Sequence, residues 1–207
     1  AMLPTATRLY RLANEKLLED MERESGYQTR DMTRFKSGME RIDRRYAASV
    51  EKALLFEMLK RYSALPMEER FSEFDKVFKL GKTFNGAKLR RTLDRMYSKT
   101  KLNELDVRLA WMDKSVEEFK ASRDPFIQYA VAMYDTNMEQ ERDDKELAGK
   151  LMKVRPLYMQ AIIAFNRDQG KPVYADANSS LRVAVGHVKG YSPQDGLRAE
   201  PFTRLEG

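Results

Sequence analysis

Few residues in this chain are equipped for chemistry, and each sits in a pattern that can be checked. The stretch LGKTFNG, Leu80 to Gly86, contains the Gly-Lys-Thr of a phosphate loop. The complete loop needs a glycine five positions before Gly81, so that successive backbone amides can wrap a phosphate, and that position is Lys76. The residues before it also read as helix rather than the strand such a loop follows. His187 is the only histidine. Hydrolysis by a serine needs a base, usually histidine, held in place by a third group, and no Gly-x-Ser-x-Gly elbow is present. His187 therefore reads as a structural or surface residue. The stretch MEQERDDKE, Met138 to Glu146, holds five carboxylates. On a helix Glu139 and Asp143 share a face, as do Asp143 and Glu146, but Arg142 and Lys145 sit among them. Without zinc-type or EF-hand spacing this is a solvated face rather than a metal site. Asn178-Ser179-Ser180 matches a glycosylation sequon, a frequent chance occurrence. No catalytic, cofactor-binding or metal-ligating residue is assigned, and no cofactor is expected.

The surrounding sequence is helical in pattern. Pro4 and Thr5 open a helix predicted to run to about Glu24, where Gly26 supplies a left-handed stop. Asp31 is the expected N-cap of a long element reaching about Ala64. In it Phe35, Met39, Ile42 and Tyr46 begin a stripe that Val50, Leu54 and Met58 continue. Pro66 opens a third helix presenting Phe71, Phe74 and Phe78 and stopping near Gly81. A fourth is predicted over Gly86 to Ser98, and a fifth over Asn103 to Ser122 with Leu105, Leu109, Met112, Val116 and Phe119 on its apolar face. Asp124-Pro125 starts a run of some 45 residues to Gly170. There Leu147, Leu151, Val154, Tyr158, Ile162 and Phe165 form a seam at spacings of three and four, and Pro156 is expected to kink or break the run. The aromatic and methionine residues at these spacings read as core.

After Gly170-Lys171-Pro172 the character changes. Leu181, Val183 and Val185 alternate with Arg182, Ala184 and Gly186, the period of a half-buried strand. A lone strand or hairpin is marginal in water, so the tail is expected to be disordered, folded back as a short hairpin, or paired with a neighbour. The fold class predicted is all-α: a bundle of long antiparallel helices with a short β-strand or hairpin tail. Two regions are expected, 1–170 and 171–207.

Composition limits the partners. The 38 basic and 32 acidic residues leave a net charge of +6. Both signs alternate along the helices, and the tightest basic clusters, Arg41, Arg44, Arg45 and Lys88, Arg90, Arg91, have acidic residues within about a turn. Solvated helix surface is the reading, and no nucleic-acid partner is expected. No run is long and apolar enough to span a membrane, the first residues lack the apolar segment of a secretory signal, and zero cysteines exclude disulfides.

The most specific signal is in the tail. VYADANSSLRVAVGHVKGYSPQDG, Val173 to Gly196, followed by PFTRLEG, resembles a segment of the dipeptidyl-peptidase 7 and 11 family of serine peptidases. Tyr174, Asp176, Ala177, Asn178, Leu181, Arg182, Gly186, Val188, Lys189, Gly190, Tyr191, Pro193, Asp195 and Gly196 match the family pattern, and Ala175 departs from it where proline is common. ESGYQTRD, Glu24 to Asp31, and RPLYMQAI, Arg155 to Ile162, resemble helical segments of the same family. The resemblance implies a chymotrypsin-like double barrel with a Ser-His-Asp triad, and a helical domain, inserted in the barrel, that covers the substrate cleft. It implies release of dipeptides from free peptide N-termini in the periplasm or at the cell surface. The family's histidine and serine motifs do not occur here, so no triad residue is carried across. The chain is then expected to be a helical cap, 1–170, with the start of the returning barrel, 171–207, inactive alone. Its implied partners are peptide substrates, the rest of the barrel and a possible second copy. A free-standing helical interaction module whose tail pairs with a partner's sheet edge is the alternative.

Overall fold

A helix begins at Met2 because Leu9, Leu12 and Ala13 repeat on one face with Met2, Thr5 and Ala6. That face is buried, and α1 spans Met2–Glu15. The structure, a computed structural model, describes residues 1–44, 46–173, 181 and 183–205. Its described helices continue as α2 (Met32–Arg41), α3 (Ala48–Tyr62), α4 (Ser72–Phe78), α5 (Gly86–Lys99), α6 (Leu105–Trp111), α7 (Val116–Ala121), α8 (Pro125–Ala132) and α9 (Tyr134–Asp168). Strands β1 (Tyr191–Gln194) and β2 (Leu197–Ala199) form an antiparallel hairpin. The class is all-α with a short β tail, as predicted. Ala1–Gly149 form one compact unit and Lys150–Gly207 a second.

In the first unit α1 lies against α7 and α8, α3 against α5, and α2 against α6. Phe119 of α7 joins these layers: its ring is 5.3 Å from Tyr10 and 4.5 Å from Trp111. Phe35, Met39, Phe78, Leu93 and Phe126 are also fully or almost fully buried. Aromatic pairs at these separations add to the burial of their area.

Three of the long predicted helices are shorter. The first ends at Glu15, and 16–28 turn back before the short 3-10 turn Thr29–Asp31. The second breaks after Arg41: Ile42–Arg44 form a 3-10 turn and Ala47 is extended before α3. The cause is Arg108 of α6. Its Nε donates to the Met39 carbonyl at 3.2 Å, Nη1 to the Leu102 carbonyl at 2.9 Å, and Nη2 to the Asp43 carboxylate. The break also changes which face of α3 is inside. Leu55, Phe56 and Leu59 are buried, whereas Leu54 and Met58 of the predicted stripe are 62% and 66% exposed. The fifth predicted helix divides into α6 and α7, because Ser115 begins a new helix with a capping box: its Oγ accepts from the Glu118 amide, and Glu118 accepts from the Ser115 amide.

Other starts fall where the caps put them. Asn85 accepts from the Lys88 amide at 2.9 Å and opens α5. Asp124 accepts from the Phe126 and Ile127 amides and opens α8. The long run to Gly170 is nearly whole: only Met133 separates α8 from α9, and α9 continues through Pro156 with no break.

The tail differs in register from the expectation. Residues 181 and 183–190 are exposed and outside regular structure, and the strands lie just beyond them. They are joined by Asp195-Gly196, with Gly196 left-handed at φ 77°, and the pairing shifts register between Tyr191 and Gln194. A side chain at Gly190 would meet the Ala199 carbonyl at 2.8 Å, so glycine is required for that close approach. The tail positions 174–180 and 182, which carry part of the family resemblance and the sequon, lie outside the described residues.

Candidate functional site

In the first unit, α1, α3, α8 and the start of α9 enclose a groove of about 770 Å³. Its floor is apolar, formed by Leu54, Leu55, Met58, Leu59 and Phe74, and the rings of Tyr27, Tyr62, Tyr129 and Tyr134 line its sides. Burial raises the phenols of Tyr27, Tyr129 and Tyr134 above their ordinary value, so they stay protonated and present a hydrogen-bonding edge. A concave site of this size with an apolar floor and a few polar groups is the form binding sites take.

The charged groups of the groove are held in place. Arg11 is central: Nε reaches Glu15 at 3.1 Å, its two Nη atoms fork onto Glu141 of α9, and its guanidinium lies 5.1 Å from the Tyr27 ring centre. Lys145, one turn beyond Glu141, bridges Glu141 at 2.8 Å and Glu24. At the other end Glu51 accepts from the Met2 amide at 2.8 Å and the Tyr97 hydroxyl at 3.1 Å. Burial first, and then the Glu51 charge, pushes the Tyr97 phenol well above its ordinary range. Arg8 stacks on Phe35, 4.7 Å from the ring centre.

No serine, cysteine or histidine is among the described residues that line the groove. It fits an apolar or aromatic side chain flanked by hydrogen-bonding groups.

Glu141 gives the groove a pH dependence. Hydrogen bonds from Arg11 and then Lys145 lower its carboxyl from 4.5 to about 2. A depressed folded-state value means the ionised form is favoured by folding. That stabilisation is complete above the unfolded value and is lost as pH falls through about 2. Because Glu141 is partly solvated, Glu141→Gln is expected to cost about 1–2 kcal/mol near neutral pH. Urea unfolding of both proteins is expected to show the gap narrowing steadily below about pH 5. A gap independent of pH would place the effect elsewhere than in the ion pair.

The residues singled out by sequence are scattered. His187 is exposed in the tail, with no partner among the described residues. Gly81-Lys82-Thr83 lie between α4 and α5, so a helix and not a strand precedes them. The carboxylates of 138–146 face solvent except for Glu141, the half-buried partner of Arg11. Its importance had no local signal, since Arg11 is 130 residues away. Among the described residues, no cluster of three or more His, Asp or Glu could hold a metal ion, and no helix is long and apolar enough to cross a membrane.

Comparison with known proteins adds a second kind of evidence. A family model described as Peptidase S46 matches residues 1–207. An Asp/Glu-specific dipeptidyl-peptidase of Shewanella putrefaciens is 45% identical over 206 residues, covering 100% of this chain and 28% of that protein. One with the same name from Capnocytophaga gingivalis is 26% identical over 167 residues, covering 78% of this chain and 20% of its own length. Dipeptidyl-peptidase 7 of Porphyromonas endodontalis is 24% identical over 198 residues, 93% of this chain and 23% of that protein. The chain thus spans about a quarter of the length of these relatives.

Proposed function

The chain belongs to the peptidase S46 family, and on that premise we propose that it is the helical region of a serine-type dipeptidyl peptidase, together with the first part of the returning barrel. In this reading residues 1–170 cover the substrate cleft and residues 171–207 lead back into the catalytic barrel. The parent enzyme releases dipeptides from free peptide N-termini, in the periplasm or at the cell surface, and the nucleophile and base lie outside this chain.

The observation that carries the reading is the apolar face of α9. Leu147, Leu151, Val154, Tyr158 and Phe165 are exposed in one seam, and Met152 and Leu157 widen it. Continuous apolar surface on this scale marks a place where another surface packs. Among the described residues the two outer edges of the β1–β2 hairpin are likewise unpaired, as expected of strands whose sheet is completed elsewhere. A helical cover has a physical role in such an enzyme. It excludes water from the cleft, limits the length of the bound chain and closes over the peptide.

A second copy docking in the parent enzyme remains part of this proposal. A free-standing interaction module whose hairpin adds to a partner's sheet is the competing reading, favoured by the same unpaired edges. Activity separates the two. The purified 207-residue chain is expected to release no dipeptide from a fluorogenic peptide with Asp or Glu at its second position, while the complete reading frame releases it in an inhibitor-sensitive manner. Inhibitor-sensitive release by the chain alone would overturn the assignment of the chemistry to the missing part. An inactive complete reading frame would favour the interaction module.

A further inference from the structure

A second groove, of about 640 Å³, runs between α4, α5 and the start of α8. Five cationic residues line it, Lys76, Lys79, Lys88, Arg91 and Arg95, and no carboxylate does. The acids nearest to these charges are turned elsewhere or paired. Asp75 is held by Arg70 and Asp94 by Lys52 at 2.5 Å. Asp124 caps α8 and accepts from the Lys101 amide. Glu73 alone turns toward a groove cation, 3.6 Å from Lys76. Lys79, Lys88, Arg91 and Arg95 have no ion-pair partner among the described residues, and all four are exposed.

Lys79 adds an independent observation. It ends α4 in the left-handed region, φ 54°, the only described non-glycine residue with positive φ. Glycine relieves strain at that position in most helices. Lysine there keeps a cation at the groove at the expense of local strain.

We propose that this groove binds an acidic peptide segment. Unpaired cations attract carboxylates, and Asn85, Thr92 and Gln128 offer hydrogen bonds to an extended backbone. Val77, Met96 and Pro125 supply an apolar floor for side-chain stems. The lining contains no aromatic ring on which a base could stack, which favours peptide over single-stranded nucleic acid. The lining residues named are all in this chain, and the proposal does not rest on where the catalytic residues lie.

The test is fluorescence anisotropy of labelled hexaglutamate with the full chain. Binding is expected, weakening as salt rises. Replacing Arg91 and Arg95 by Glu together is expected to weaken it by at least ~tenfold. Lys79→Gly is expected to weaken binding while raising Tm, since strain is relieved as the cation is lost. Replacing Arg34 and Lys36 of α2 by Glu changes the net charge equally and is expected to leave affinity within about twofold. No binding by the parent chain, equal loss in the α2 variant, or full affinity after Arg91 and Arg95 are reversed would overturn the proposal. So would tighter binding of a single-stranded oligonucleotide of equal charge, which would make the groove a nucleic-acid surface.

Discussion

Arg108→Met is expected to destabilise the first unit by about 3 kcal/mol, within the range for breaking a buried charged network. The side chain is 0% exposed, the largest such residue in the described core. Its three donating nitrogens satisfy the Met39 and Leu102 carbonyls and the Asp43 carboxylate. Methionine fills much of the same volume, so the cost falls on hydrogen bonding rather than on a cavity. Two buried carbonyls lose their donor, at about 1–3 kcal/mol each where no water replaces it. Asp43 is partly exposed and finds water, which keeps the total nearer the lower end of the sum. Arg108→Lys keeps the charge but not the fork, and is expected to lose about half as much. Urea unfolding near neutral pH measures both. A loss below about 1 kcal/mol for Met would show that the break between α2 and α3 does not depend on this residue.

That same residue explains where sequence reading stopped. The 4-3-4 spacing of Phe35, Met39, Ile42 and Tyr46 is true helix periodicity, and Phe35 and Met39 are indeed buried. Nothing local says that the helix must end at Arg41, because the group that takes the Met39 carbonyl lies 69 residues further on. Once α3 starts afresh at Ala48, its buried face shifts by one residue, from Leu54 and Met58 to Leu55 and Leu59. Local chemistry fared better. Asp124-Pro125 and the Asn85-Gly86 start were legible because a cap acts within one turn.

Two further local signals lie in the sequence. Ser115-Val116-Glu117-Glu118 is a capping-box sequence inside an apolar pattern that otherwise suggests one unbroken helix. Asp195-Gly196 is a two-residue hairpin turn, and it places the strands beyond the alternating Leu181, Val183 and Val185. The binding grooves were not legible at all. Glu141 meets Arg11 across 130 residues, and the five cations of the α4–α5 groove share one surface only once α4 and α5 pack together.

Asp75→Asn is expected to cost about 3 kcal/mol, because it removes the counter-charge of an arginine that is almost wholly enclosed. Arg70 has a side chain 1% exposed; it donates to Asp75 from Nε at 3.2 Å and Nη2 at 2.7 Å, and to the Gly81 carbonyl from Nη1 at 3.2 Å. Both bonds to Asp75 go to one oxygen, Oδ1, which asparagine keeps as an acceptor in the same shape, so the loss reports the charge. The pair ties the start of α4 to the loop before α5, the two elements that flank Lys79. Arg70→Met combined with Asp75→Leu removes both charges, and is expected to cost only about 1–2 kcal/mol, mostly for the Gly81 carbonyl left without its donor. Costs of Arg70→Met alone and Asp75→Leu alone that sum to about 2 kcal/mol or more above the double would be the signature of a coupled buried pair. Additive costs, or an Asp75→Asn protein as stable as the parent, would mean that water rather than Asp75 neutralises Arg70. Asp75 would then be free to face the basic groove, and the charge argument for an acidic peptide there would weaken with it.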